Sequence, residues 1–260
     1  MKIFFKNLLF FVLDLFSSRP KDKASVLMYH SIDVNRTFFT VKPEEFARQL
    51  NYLGKNKFKV IKLSRLAELV TRGKKIDDYV CLTFDDGYLD NFTNVFPLLK
   101  KYNFPATIFL ATDFIGRTMT NSQGVTLPIL TIEQIKEMTD SGLVEFMPHT
   151  ASHCFLNEVS PEKMEQELTE AREKVRALAG GQADILAYPW GKFNDLVVGY
   201  LKKNNWQAAV TVNEGLVDKN SDPFRLKRNS IDSSTSFVQF KGKTSGVIDN
   251  YEKIKKWLKH

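Results

Sequence analysis

Residues 79–87 read YVCLTFDDG. The first six are apolar or β-branched without a break, which marks a strand buried on both faces rather than one half open to water. Asp85, Asp86 and Gly87 follow at once. A strand covered on both sides needs helices above and below its sheet, and the flanking sequence supplies them. SVLMYH (25–30), FKVI (58–61), PATIFLA (105–111), LVEFM (143–147), DILAYP (184–189) and QAAVTV (207–212) read as further strands, with another near FRLKRNSI (224–231). Helical spacing of Phe46, Leu50 and Leu53, with Pro43 and two acids in the first turn, predicts a helix over 42–56. SRLAELVTR (64–72) predicts another, with Ser64 as its cap. Further helices are expected over about 88–102, over 131–142, over 160–181 behind Ser160 and Pro161, and after Asn194, whereas 112–130 reads as an irregular loop. Strands alternating with helices predict an α/β fold, a distorted or incomplete (β/α) barrel of about seven parallel strands. In such folds the chemistry lies at the C-terminal ends of the strands.

The bulk numbers fit one large domain or two small ones. The chain has 260 residues, 43% of them hydrophobic and 26% charged, a balance that excludes a disordered protein. Lys and Arg number 37 against 30 Asp and Glu, for a net charge of +7. The basic residues are scattered, with no aromatic-interleaved groove, so nucleic acid is not an expected partner. The tightest cluster, YEKIKKWLKH (251–260), reads as a C-terminal helix with a wet basic face. Cys81 and Cys154 form no CxxC motif, and Cys81 reads as core packing. Residues 1–23 are read as a separate N-terminal amphipathic helix, or membrane-associating segment, ahead of a domain over 24–260. Asp14 interrupts the apolar run well short of the ~20 residues a membrane span needs. Peripheral membrane contact through residues 1–20 is one reading, a helix packed on the domain is its equal alternative and an uncleaved signal the third. The expected location is the cytoplasm or the inner face of the membrane, with export to the envelope as the alternative.

The strand ends carry the chemistry. YVCLTF ends in Asp85-Asp86-Gly87, LVEFM in PHTASH with His149 and His153, DILAY in Pro189-Trp190-Gly191, and SVLMY in His30. Each piece alone reads as an ordinary turn or a core histidine. Together they place two carboxylates and three imidazoles at one end of the sheet. One Asp and two His make a facial set of three ligands with open positions, suited to Zn²⁺ or a similar divalent ion. The other Asp is then free to accept a proton.

LTFDDGYLDNF (82–92), HTASH (149–153) and AYPWGKFND (187–195) resemble, in order and spacing, the signature motifs of the polysaccharide deacetylases, the NodB-homology enzymes also called carbohydrate esterase family 4. VLMYHSI with the stretch that follows is similar to the front of the poly-N-acetylglucosamine deacetylase subgroup, and the likeness spans about residues 24–232. The resemblance implies a distorted barrel and metal-dependent removal of acetyl groups, N-acetyl first, from an amino sugar of a polysaccharide or glycan precursor. It implies Asp85 as general base, Asp86, His149 and His153 as metal ligands, and the backbone N–H of Trp190 as oxyanion donor. Pro189 and Gly191 would shape that turn, and Tyr88 would line the substrate pocket. Zn²⁺ is the expected metal, with Co²⁺ and Ni²⁺ as alternatives, and an acetylated carbohydrate the expected partner. Two motifs depart from the family. Ala187 stands where an Arg that orients the base is usual, and the late Leu-x-His that supplies a general acid is absent; FRLKRNSID has Arg228 but no His. An N-terminal His takes the acid role in the resembled subgroup, which assigns it to His30 here; a structural His bonded to a carbonyl is the alternative. Two other functions fit the chain: a sugar-binding homologue without catalysis, and a metal-dependent amidohydrolase acting on a small non-sugar amide.

Overall fold

The structure is a computed structural model and describes residues 2–15 and 21–257. Among these, a seven-stranded sheet runs in the spatial order Val217–Asp218, Lys23–Tyr29, Tyr79–Phe84, Ala106–Leu110, Val144–Pro148, with Asn229–Ser230 also paired to Lys23–Tyr29 and Lys59–Val60 to Tyr79–Phe84. Every pair is parallel except Val217–Asp218 against Lys23–Ala24. Ile185–Ala187 and Ala208–Val210 form a second parallel pair, tied through Val210 to Leu226 and so toward the Asn229–Ser230 strand. The strands therefore curl nearly into a ring. Among the described residues no ladder joins Val144–Pro148 to Ile185–Ala187, which leaves one open seam. This is the distorted barrel the sequence predicts.

Both faces of the strands are buried, as the unbroken apolar runs require. Leu27, Tyr29, Leu82, Phe84, Ile108 and Leu110 pack outward against Phe46, Leu50 and Leu53 of helix Pro43–Lys55 and against Phe96 and Leu99. Val26, Cys81, Phe109, Met147, Ile185, Ala187, Ala208 and Val210 meet in a second cluster that spans the seam, joined by Leu63, Leu66 and Leu69 of helix Leu63–Thr71. Cys81 is fully buried there, and burial pushes its thiol pKa well up, as expected of packing rather than chemistry.

Helices fall close to their predicted places at Pro43–Lys55, Ile132–Asp140, Pro161–Ala179 and Asp195–Lys203, the last three capped by Thr131, Ser160 and Asn194. Other expectations need correction. Ser64 is not a cap: the helix begins at Leu63, and the Ser64 N–H and hydroxyl both donate to the Glu145 carboxylate, at 3.0 and 2.5 Å. A carboxylate from the neighbouring strand takes the capping role. The helix expected over 88–102 is a π-type turn over Asn91–Val95 followed by an α-helix over Phe96–Tyr102. The expected loop at 112–130 contains a β-hairpin, Thr118–Thr120 against Thr126–Pro128. Lys2–Leu15 is helical and the C-terminal helix is Val247–Trp257; residues 1, 16–20 and 258–260 of the predicted terminal segments lie outside the described residues.

Candidate active site

The predicted strand ends converge on one cavity of about 480 Å³. His30, Asp85, Asp86, Tyr88, His149, His153 and Trp190 line it; Phe38, Phe39, Phe114, Met119, Phe155 and Val212 add an apolar wall. Pro189 and Gly191 do not line it. They form the turn beneath Trp190, where a Cβ on Gly191 would meet Val212 Cγ2 at 2.4 Å.

Asp86, His149 and His153 face one another. Asp86 Oδ1 lies 3.6 Å from His149 Nε2 and 3.4 Å from His153 Nε2, and all three donors fall within 4.8 Å of each other. The two shorter gaps are long for hydrogen bonds, and Asp86 Oδ1 is buried with no hydrogen-bond partner. An orphaned buried carboxylate oxygen is costly unless a cation satisfies it. A tetrahedral ion held at ~2.1 Å from each donor sets donors ~3.4 Å apart. The residues therefore fit a divalent metal. His149 is prepared for it: its Nδ1–H donates to the Ala187 carbonyl at 2.7 Å, which leaves Nε2 as a lone-pair donor toward Asp86. Burial lowers the His149 pKa to about 4, so the ring is neutral at pH 7. The same hydrogen bond spans the open seam of the barrel.

Asp85 is held quite differently. Its carboxylate accepts two hydrogen bonds from Arg228, Nη1 to Oδ1 at 2.6 Å and Nη2 to Oδ2 at 2.7 Å. Arg228 is fully buried, and its Nε donates to the Thr211 carbonyl at 3.0 Å. Burial alone would raise the Asp85 pKa, but the Arg228 guanidinium, helped by His149 and His30, holds the carboxyl well below the usual range. Sequence reasoning noted Arg228 only for the His it lacks. The gap left by Ala187 is filled from a different strand end, beside Asn229–Ser230. A buried Asp demands a cation beside it, but that demand alone does not single out Arg228 in the sequence.

His30 is half-buried, with its ring 5.2 Å from that of Phe39. Among the described residues its imidazole takes no hydrogen bond; only its carbonyl is engaged, by Asn91 Nδ2 at 2.9 Å. Tyr88 is buried and stacks on Phe39 at 5.6 Å, and burial followed by the Asp86 charge pushes its phenol pKa up, so it stays neutral. Trp190 adopts left-handed φ/ψ of 59° and 9°. The turn's hydrogen bonds use the N–H groups of Gly191 and Lys192 rather than that of Trp190. Its indole is 43% exposed and stacks on Phe155 at 5.6 Å, leaving an aromatic face at the mouth. Asp86, Thr150 and His153 are also left-handed, at φ 71°, 64° and 59°. Such strain in non-glycine residues clusters at functional sites.

Comparison with known proteins matches this picture. The sequence model of the polysaccharide deacetylase family covers residues 72–209. The chain is 30% identical to YxkH of Bacillus subtilis (strain 168) over 219 residues, 84% of this chain and 75% of that one. It is 29% identical over 198 residues, 73% of this chain and 67% of the other, to the poly-beta-1,6-N-acetyl-D-glucosamine N-deacetylase of Staphylococcus epidermidis. The deacetylase PplD of Streptococcus pyogenes, solved with acetate, superposes with a TM-score of 0.76 at 25% identity, over 87% of this chain and 100% of that one.

Proposed function

The chain belongs to the polysaccharide deacetylase family, and from that premise we propose that it hydrolyses the N-acetyl group of an amino sugar in a polysaccharide or glycan precursor. Asp86, His149 and His153 would hold a divalent cation, Zn²⁺ first. The observation that carries the reading is the orphaned Asp86 oxygen between two imidazoles, beside a second carboxylate clamped by arginine. When bound, the cation supplies Lewis acidity, polarising the acetyl carbonyl and making water acidic near neutral pH.

The protein's own groups do the rest. Asp85, ionised and fixed in plane by Arg228, accepts a proton from the attacking water. The water oxygen adds to the acetyl carbon, and the backbone N–H of Trp190 donates to the oxygen that gains charge. His30 gives a proton to the sugar nitrogen as its C–N bond breaks, so a free amine and acetate leave. The apolar wall and the Phe155–Trp190 pair suit the faces of a sugar ring and the acetyl methyl group. The similarity to the S. epidermidis enzyme makes β-1,6-linked N-acetylglucosamine the first substrate to try.

Peripheral membrane contact belongs to the same proposal. Phe10 seats helix Lys2–Leu15 on the C-terminal helices, while Leu8, Phe11 and Val12 stay exposed at i, i+3 and i+4 spacing.

The test is acetate release from N-acetylglucosamine oligomers by Zn²⁺-loaded protein, with amine formation measured in parallel. Asp85→Asn should retain the metal and lose turnover. Full activity in that variant, or acetate release from no acetylated sugar tried, contradicts the proposal.

A further inference from the structure

Helix Pro161–Ala179 sends a fully buried carboxylate into the loop that joins the two histidine ligands. Glu167 accepts hydrogen bonds from the backbone N–H of Ala151 at 3.0 Å and of Ser152 at 2.8 Å, and from the Ser152 hydroxyl at 2.7 Å. Lys163, one turn earlier, closes on it at 3.0 Å. The two amides lie between His149 and His153. On either side of them Thr150 and His153 hold left-handed φ angles of 64° and 59°. Such a loop is not held by local preference at Thr150, because a β-branched side chain strongly disfavours this region.

The two ligands are secured in different ways. His149 follows directly on its strand and is locked through Nδ1 to the Ala187 carbonyl. His153 has no such bond among the described residues; apart from the 3.4 Å approach of its Nε2 to Asp86 Oδ1, its ring rests edge-on against Trp190 at 5.4 Å and His149 at 4.8 Å. The direction of its Nε2 is therefore set by the backbone, and that backbone is tied at Ala151 and Ser152.

We propose that Glu167 is a positioning residue for the metal centre: it holds the 150–153 loop in its left-handed form so that His153 is aimed at Asp86 and His149 before a cation arrives. Glu167 touches neither the ligand atoms nor the cavity, and its carboxylate acts through two peptide groups. The inference rests on the metal-site reading above. Supporting groups of this kind are worth 10–100-fold in metal affinity.

Zn²⁺ affinity of the full chain, measured by competition with a chromophoric chelator, tests it. Glu167→Ala is expected to weaken binding by about 10–100-fold. Ser152→Ala, which removes one of the three bonds, should weaken it less, and Glu167→Gln, which keeps an acceptor, should recover part of the loss. Leu168→Ala perturbs the same helix at its buried neighbour and should keep wild-type affinity. Hydrogen exchange at the Ala151 and Ser152 amides of the metal-free protein should be slow in the wild type and fast in Glu167→Ala. Wild-type affinity in Glu167→Ala, or an equal loss in Leu168→Ala, overturns the inference and leaves the metal site standing. A wild-type chain that binds no Zn²⁺ overturns the metal-site reading itself, and the inference with it.

Discussion

Asp85 and Arg228 show how one pair can set both reactivity and stability. A buried carboxylate clamped on both oxygens stays ionised far into the acid range. Arg228→Gln leaves burial unopposed, so the Asp85 pKa rises and the acid limb of the kcat/KM profile moves to higher pH. Turnover at pH 7 should fall roughly 10²-fold or more, and unfolding should become easier by about 3–5 kcal/mol. An acid limb that does not move removes Arg228 from the proposed machinery. Asp90 is the opposite case. Burial raises its pKa to about 6 although Ile32 N–H and the Ser31 hydroxyl donate to it. The folded state then holds this proton more tightly than the unfolded state, whose Asp titrates near ~3.9, so stability is lost as pH rises from about 4 to about 6. Asp90→Asn should be more favourable relative to wild type at pH 7 than at pH 4, by roughly 1–3 kcal/mol, in denaturant titrations at the two values. The aspartate and histidine positions were legible because short motifs end strands. Arg228 was not, since its partner lies 143 residues away and nothing local marks it.

At the scale of elements, the turns after strands do the placing. Gly87 sits at φ 73° directly after the left-handed Asp86, and a Cβ there would meet Leu110 Cδ2 at 2.5 Å. Gly87→Ala should destabilise by more than ~1 kcal/mol. It should also weaken Zn²⁺ binding, because the strain is relieved by moving Asp86. Thermal melting and chelator competition on one preparation check both effects; an unchanged affinity means that Leu110 yields instead. Strands and the longer helices were legible because unbroken apolar runs and caps are local signals. The Thr118–Pro128 hairpin was not: each arm is three residues long and mostly exposed, too short for an alternation to show. Nor was the cap on Leu63–Thr71, which comes from Glu145 on another element.

For the whole molecule, an incomplete barrel was legible from strand–helix alternation, but the place of its seam was not, because it depends on which neighbours fail to pair. The exposed Leu8, Phe11 and Val12 on a helix docked at the C-terminal end give the molecule a sided surface. The Leu8→Asp, Phe11→Asp double variant should lose most sedimentation with vesicles containing anionic lipid while keeping acetate release from soluble oligomers; a wild-type protein that stays in the supernatant ends that part of the proposal. Ring closure has a further consequence, for how the chain acquires its shape during synthesis. The Asn229–Ser230 strand must return beside Leu27 and Met28, which were made some two hundred residues earlier. Until then Asp85 has no Arg228, and a growing chain would have to bury a bare carboxylate to settle its first strands. Nascent chains that stop short of Arg228 are therefore expected to be cleaved faster by protease than chains that include it, and equal cleavage of the two lengths contradicts this.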